Sequence, residues 1–270
     1  MHPVIEHMLA RKHKHLPFHD KRKIALILPG GLMSAVRGAG AGAALQEMEL
    51  IETFDEIYTM SAGFPNAAYY LTQELPAAKI YYENLCNKEF LNFARFWDVV
   101  DIEYLMGIMR EIRPLDYKKL SHLKTKLFVR LLGTKTDTAA YKKVNTREPK
   151  EIEKMMRAAV SVPFLNPGSV EINGRHYKDA GLLPYMEDGV RDVLDSDATD
   201  ILIIYNTYEQ YEHLKHLGIK DSHRFLQIVP YQENEPGHLC RDAHHLKSSA
   251  EEMGTLVKSM FGDNSPLILA

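Results

Sequence analysis

The sequence predicts an α/β fold, three layers in α/β/α order around a central sheet of mostly parallel strands. Continuous apolar runs of strand length, IALILP at 24–29, ILIIY at 201–205 and FLQIV at 225–229, have the pattern of strands buried on both faces. Segments of helical periodicity alternate with these runs along the chain, as a parallel sheet with crossover helices requires. With 270 residues and 45% hydrophobic side chains, the chain can bury one large core. The expected organisation is a basic, histidine-rich N-terminal arm over 1–23 and a single domain over 24–270.

The arm carries five histidines and several Lys and Arg residues, with a short amphipathic piece around Val4 to Leu9 and a turn at Leu16-Pro17. It reads as a short helix and a solvated segment whose histidines lack helical pairing for a metal. His15 and Asp20 form an isolated His-x4-Asp spacing, which reads as coincidence in so His-rich a tail. The first strand, 24–29, ends at Gly30-Gly31, and the small residues Ala35 to Ala44 lead into a helix ending near Leu50. A strand, a glycine turn and such a helix suggest backbone amides approaching an anion, either a phosphate or an oxyanion. Residues 54–72, FDEIYTMSAGFPNAAYYLT, read as a strand, a sharp turn carrying Ser61 and a helix. A second helix is expected from Leu75 to Glu83, opened by Pro76. The aromatic and Met-rich stretch 88–112, which includes Trp97, fits either plain core or the wall of an acyl-chain pocket. Leu127 to Leu132 reads as a strand, Thr134 to Thr138 as a polar turn, and Glu151 to Ala159 as a helix followed by breaks at Pro163 and Pro167. Asn173-Gly174 marks a hairpin whose returning strand delivers Asp179 into the small turn Asp179-Ala180-Gly181. A last helix spans about Ala243 to Met260 and stops before Gly262.

Composition narrows the function classes. The net charge of −3 and the lack of a Lys/Arg block interleaved with aromatics give nucleic-acid binding no support. Cys86 and Cys240 stand far apart without metal-ligand spacing, which suits a reducing cytosol. The polar start and the lack of a long apolar run predict a soluble, cytoplasmic protein, peripheral to membranes at most.

A serine on a tight strand-to-helix turn has its hydroxyl exposed beside helix N-terminal amides, which favours nucleophilic chemistry. Here the pattern is Thr59-Met60-Ser61-Ala62-Gly63, one glycine short of Gly-x-Ser-x-Gly, and it is also the pattern of an N-cap with small neighbours. Gly38-x-Gly40-x-x-Ala43 formally matches the dinucleotide fingerprint but begins eight residues after Gly30, and no acidic residue ends the second strand. A cofactor site is therefore the weaker reading.

Taken in order, Gly30-Gly31-Leu32-Met33-Ser34-Ala35, the Ser61 turn, and Asp179-Ala180-Gly181 resemble the three motifs of the patatin-like phospholipases. Those motifs are a glycine-rich oxyanion loop, Gly-x-Ser-x-Gly, and Asp-Gly-Gly or Asp-Gly-Ala. The likeness covers nearly the whole chain, including RAAVSVPFLNP ahead of INGRHYKDAGL. It implies a patatin-like fold and a Ser-Asp dyad without histidine: Ser61 as nucleophile, Asp179 as base, and the amides of Gly30, Gly31 and Leu32 as the oxyanion hole. It implies a phospholipid or other glycerolipid ester as substrate, no metal and no cofactor. Oligomeric state stays open. His176, near Asp179 on the same strand, is expected to point elsewhere.

Counted without gaps, Leu32, Ser34 and Ala35 replace the family's third glycine, arginine and last glycine; a gap would instead recover Arg37-Gly38. Leu32 costs strain if its backbone must take φ > 0. The expected function is hydrolysis of fatty-acyl esters. The alternatives are a patatin-like lipid- or partner-binding protein with little catalysis, and acyl transfer through the same serine.

Overall fold

The computed structural model describes residues 1–12, 20–72, 77–96, 98–166 and 168–262. His15, Leu16-Pro17, Leu75-Pro76, Trp97 and Pro167 lie outside the described residues. The chain runs α1 (Pro3–Lys12), β1 (Ile24–Leu28), α2 (Val36–Glu47), β2 (Glu56–Met60), α3 (Gly63–Thr72), α4 (Ile102–Gly107) and α5 (Tyr117–Ser121). It continues through β3 (Lys126–Gly133), β4 (Thr138–Lys143), α6 (Pro149–Val160), β5 (Val170–Ile172), β6 (Arg175–Asp179), α7 (Leu183–Leu194), β7 (Asp200–Ile204), α8 (Tyr208–His216), β8 (Phe225–Ile228) and α9 (Ala243–Phe261). Two π-helical stretches, Ile80–Leu85 and Ile108–Ile112, flank α4.

The strands form one sheet in the order β5-β6-β3-β2-β1-β7-β8, with β4 also paired to β3. The pairs β1–β2, β1–β7, β2–β3 and β7–β8 are parallel, and β3–β4, β3–β6 and β5–β6 are antiparallel. β1 is the point where the strand order reverses, so the loops after β1 and β2 open at the carboxyl edge, where α/β sheets hold ligands.

Both faces of the central strands are buried, which explains their unbroken apolar sequence. Alternate side chains enter two cores: Ile24, Leu26 and Leu28 meet α2, α3, α6 and α9, whereas Ala25 and Ile27 meet α7 and α8. Helices on both faces make the three layers that the alternating pattern predicted.

Three differences from the sequence reading have physical causes. The helix in the N-terminal arm runs from Pro3 to Lys12, and Val4, Ile5 and Met8 are buried in the core instead of lying along a solvated segment. His7 Nδ1 bonds Asp200 Oδ1 at 2.6 Å, so this histidine is held by the domain. The small residues of α2 serve close helix packing: a Cβ on Gly40 would lie 2.2 Å from Ala250 O of α9. Finally, β4 was not foreseen, because TAAYKK is a partly exposed strand without apolar alternation.

Candidate active site

β2 ends at Met60, and the chain turns into α3 through Ser61, whose φ of 49° lies in the left-handed region that costs a non-glycine residue on the order of 1 kcal/mol or more. Strand and helix nearly touch here. A Cβ on Gly63 would stand 2.1 Å from Leu28 O, so only glycine fits the last motif position. Thr59, where the motif has its first glycine, lies within β2, and its hydroxyl donates to Phe128 O at 2.7 Å.

Asp179 reaches Ser61 through the sheet itself. Along one edge of β3, residues 126–130 pair with the parallel strand β2 and residues 131–133 with the antiparallel strand β6, while β4 covers 128–133 on the opposite edge. β2 and β6 therefore run head-on toward each other beside β3, with Met60 opposite Arg130 and Asp179 opposite Leu131. The Asn173-Gly174 hairpin brings the carboxylate to the serine across 118 residues of sequence. Ser61 Oγ donates to Asp179 Oδ2 at 2.6 Å.

The carboxylate is buried, 2% exposed, and its only other bond among the described residues is from Gly181 N to Oδ1 at 2.7 Å. Burial pushes its pKa up to about 7, against the opposing pull of the bonds from Ser61 and Gly181. A carboxyl titrating near neutrality can take and return a proton at the serine, as an ordinary exposed aspartate cannot. His176 is exposed and pairs with Ser169 Oγ at 3.2 Å.

The loop after β1 lies beside Ser61, where a Cβ on Gly30 would meet the Ser61 side chain. Leu32 adopts φ 50°, the backbone geometry whose cost a glycine would avoid. Ser34 is buried and donates to Gly31 O at 2.7 Å. Arg37 is the second residue of α2 and is fully buried; its guanidinium reaches Tyr231 O at 2.9 Å and Glu235 and Glu252 at 3.5 and 3.4 Å. Burial lowers its pKa, and it is not among the residues that line the cavity beside Ser61.

That cavity, about 40 Å³, is walled by Leu32, Met33, Ala62, Ile80, Leu105 and Met109 among other apolar groups. Its polar members are spent on each other and on the backbone: Tyr81 Oη donates to Asn66 Oδ1, and Asn66 Nδ2 donates to Ala35 O. Phe90, Val100, Leu105 and Met109 show that stretch 88–112 is both core and pocket wall. Among the described residues, no group of three or more His, Cys, Asp or Glu side chains is placed to hold a metal. Cys86 and Cys240 are free thiols.

No family model and no curated protein sequence matches the chain. Among solved structures it is similar to VipD from Legionella pneumophila, at 10% identity with a TM-score of 0.50, over 89% of this chain and 67% of that one. It is also similar to the type III effector protein ExoU, at 14% identity with a TM-score of 0.42, over 88% of this chain and 53% of that one, so it spans about half the length of ExoU. The fold, mixed α/β with a central sheet, is that of the patatin-like phospholipases, as in VipD.

Proposed function

We propose that the chain is a patatin-like serine acyl hydrolase that cleaves fatty-acyl esters of phospholipids or other glycerolipids. The observation that supports this reading best is the 2.6 Å bond from the Ser61 hydroxyl to a buried carboxylate with no cation beside it among the described residues, at the wall of an apolar cavity. Ser61 Oγ attacks the ester carbonyl while its proton passes to Asp179 Oδ2. Charge on the carbonyl oxygen is stabilised by the amides of Gly30, Gly31 and Leu32 and by the N-terminus of α3. The alcohol leaves with the proton from Asp179. Water then attacks the acyl-serine, gives its proton to Asp179, and the fatty acid departs as the proton returns to Ser61. No metal or cofactor enters this sequence.

A membrane lipid as substrate requires transient contact with a membrane surface. Phe96 and Phe164, 80% and 90% exposed, sit on the loops that also carry the cavity residues Val100 and Val162. Among the described residues, no helix is long and apolar enough to cross a membrane.

The second reading, a lipid binder with little turnover, draws on the strained Leu32 and the narrow cavity. A fluorophosphonate probe separates the two. Labelling of the wild type, lost in Ser61→Ala together with ester hydrolysis, is the expected result. Liposome binding without labelling would favour the binder, and turnover unchanged in Ser61→Ala would reject the dyad.

A further inference from the structure

Three consecutive carbonyls of the loop after β1 accept side-chain hydrogen bonds from remote parts of the chain. Asn206 Nδ2 donates to Pro29 O and to Gly30 O, each at 2.8 Å, and Gln210 Nε2 donates to Gly30 O at 2.9 Å. Gly31 O accepts from Ser34 Oγ at 2.7 Å and from His238 Nδ1 at 2.9 Å. A carbonyl can only accept, so Nδ1 of His238 carries the hydrogen. His238 also holds the loop through its backbone, its carbonyl accepting from Met33 N at 3.0 Å.

The clamp is itself fixed. Asn206 and Gln210 are 1% and 4% exposed. Asn206 Oδ1 accepts from Gly38 N at 2.7 Å, and Gln210 Oε1, whose side chain also closes the capping box with Thr207 that opens α8, accepts from Asn206 N at 3.0 Å.

A trans peptide points its C=O and the following N–H in opposite directions. Holding the carbonyls of residues 29, 30 and 31 therefore turns the N–H groups of Gly30, Gly31 and Leu32 away from the clamp. Those three amides donate to no acceptor among the described residues. Gly30 lies against the nucleophile, since a Cβ there would be 2.9 Å from Ser61 Oγ, and Leu32 shares the cavity wall with Ser61.

We infer that Asn206, Gln210 and His238 are positioning residues, which clamp the carbonyls of residues 29–31 and so aim the amides of Gly30, Gly31 and Leu32 at the substrate's carbonyl oxygen. The inference rests on the acyl-hydrolase reading of Ser61. It gives the position of the missing family arginine a substitute: Ser34 and His238 together hold the Gly31 carbonyl. His238 is the member to test, because its side chain is exposed and its replacement spares the core.

The experiment compares His238→Ala and His238→Asn with the wild type. It uses p-nitrophenyl butyrate turnover and, in parallel, the NMR amide shift of Leu32. His238→Ala is expected to lower kcat roughly 10- to 100-fold, less than the roughly 100- to 1000-fold cost of losing an oxyanion donor, with KM nearly unchanged. Asn, whose Nδ2 can replace Nδ1–H, should restore most of kcat and return the Leu32 shift toward its wild-type value. A kcat in His238→Ala within about twofold of wild type, or Asn no better than Ala, would overturn the clamp. An inert wild type would overturn the Ser61 reading instead; the Leu32 shift then decides the clamp, which stands if the shift moves in His238→Ala and returns in His238→Asn, and falls if it does not move.

Discussion

Two buried charges at opposite ends of β2 have opposite surroundings. At the entry of the strand, Arg11 is 2% exposed and bonds Asp20 at 2.8 Å, Asp55 at 2.7 Å, Thr53 O at 2.8 Å and Arg22 O at 2.7 Å. Burial alone would lower its pKa, but the bonds to the two aspartates outweigh that and raise it, so the charge is held. At the exit, Asp179 has only a serine hydroxyl and one amide, and burial carries its pKa up to about 7. A structural charge is neutralised by partners, whereas a chemical one is left under-compensated so that it can change state. The two ends stand roughly 13 Å apart along the five-residue strand, so each can be altered without touching the other.

The strongest way to break the contrast is Asp179→Asn. It should lower kcat for ester hydrolysis by at least about 1000-fold while the fold persists, as steady-state kinetics with circular dichroism would show. A smaller loss would make Asp179 a structural partner like those of Arg11. Next in size, Arg11→Ala should destabilise the protein by roughly 3 kcal/mol in urea unfolding, leaving kcat of the folded fraction near wild type. Lost turnover in that folded fraction would mean that the two ends are coupled.

The smallest effect concerns stability and pH. The folded pKa of Asp179 is raised above its unfolded value, so its contribution is fully present below about pH 4 and is lost as pH rises through about 7. Asp179→Asn, though inactive, should therefore be more stable than wild type by roughly 1–3 kcal/mol at about pH 8, the gain shrinking as pH falls toward about 4. A stability difference independent of pH would show that the carboxyl is not desolvated.

Much of this site was legible from residue types. The runs at 24–29, 201–205 and 225–229 are β1, β7 and β8 because both faces of these strands are covered. The turns that carry Ser61 and Asp179 each leave a local signature, a sharp strand-to-helix bend and an Asn-Gly hairpin, whereas the pairing of the two side chains was expected only from the resemblance to the patatin-like motifs. Leu32 was read as a glycine-shaped position, and its φ of 50° agrees. What stayed hidden is held by contacts distant in sequence. The few apolar residues of α1, of which Val4, Ile5 and Met8 are buried, do not announce a docked helix. Asn206 and Gln210 act on carbonyls 176 to 180 residues away, and His238 on one 207 residues away. A signal existed for Asn206, a polar residue directly after the strand ILIIY, at the same edge of the sheet as Ser61. His238, in a loop of Pro, Gly and polar residues, had none.

The central claim, that a desolvated carboxyl takes the Ser61 proton, is tested most directly by the rate of fluorophosphonate labelling at Ser61 as a function of pH. Only ionised Asp179 can accept the proton, so the rate should rise with pH through a midpoint near 7. A midpoint near 4, or a rate unchanged between about pH 5 and about pH 9, would contradict it.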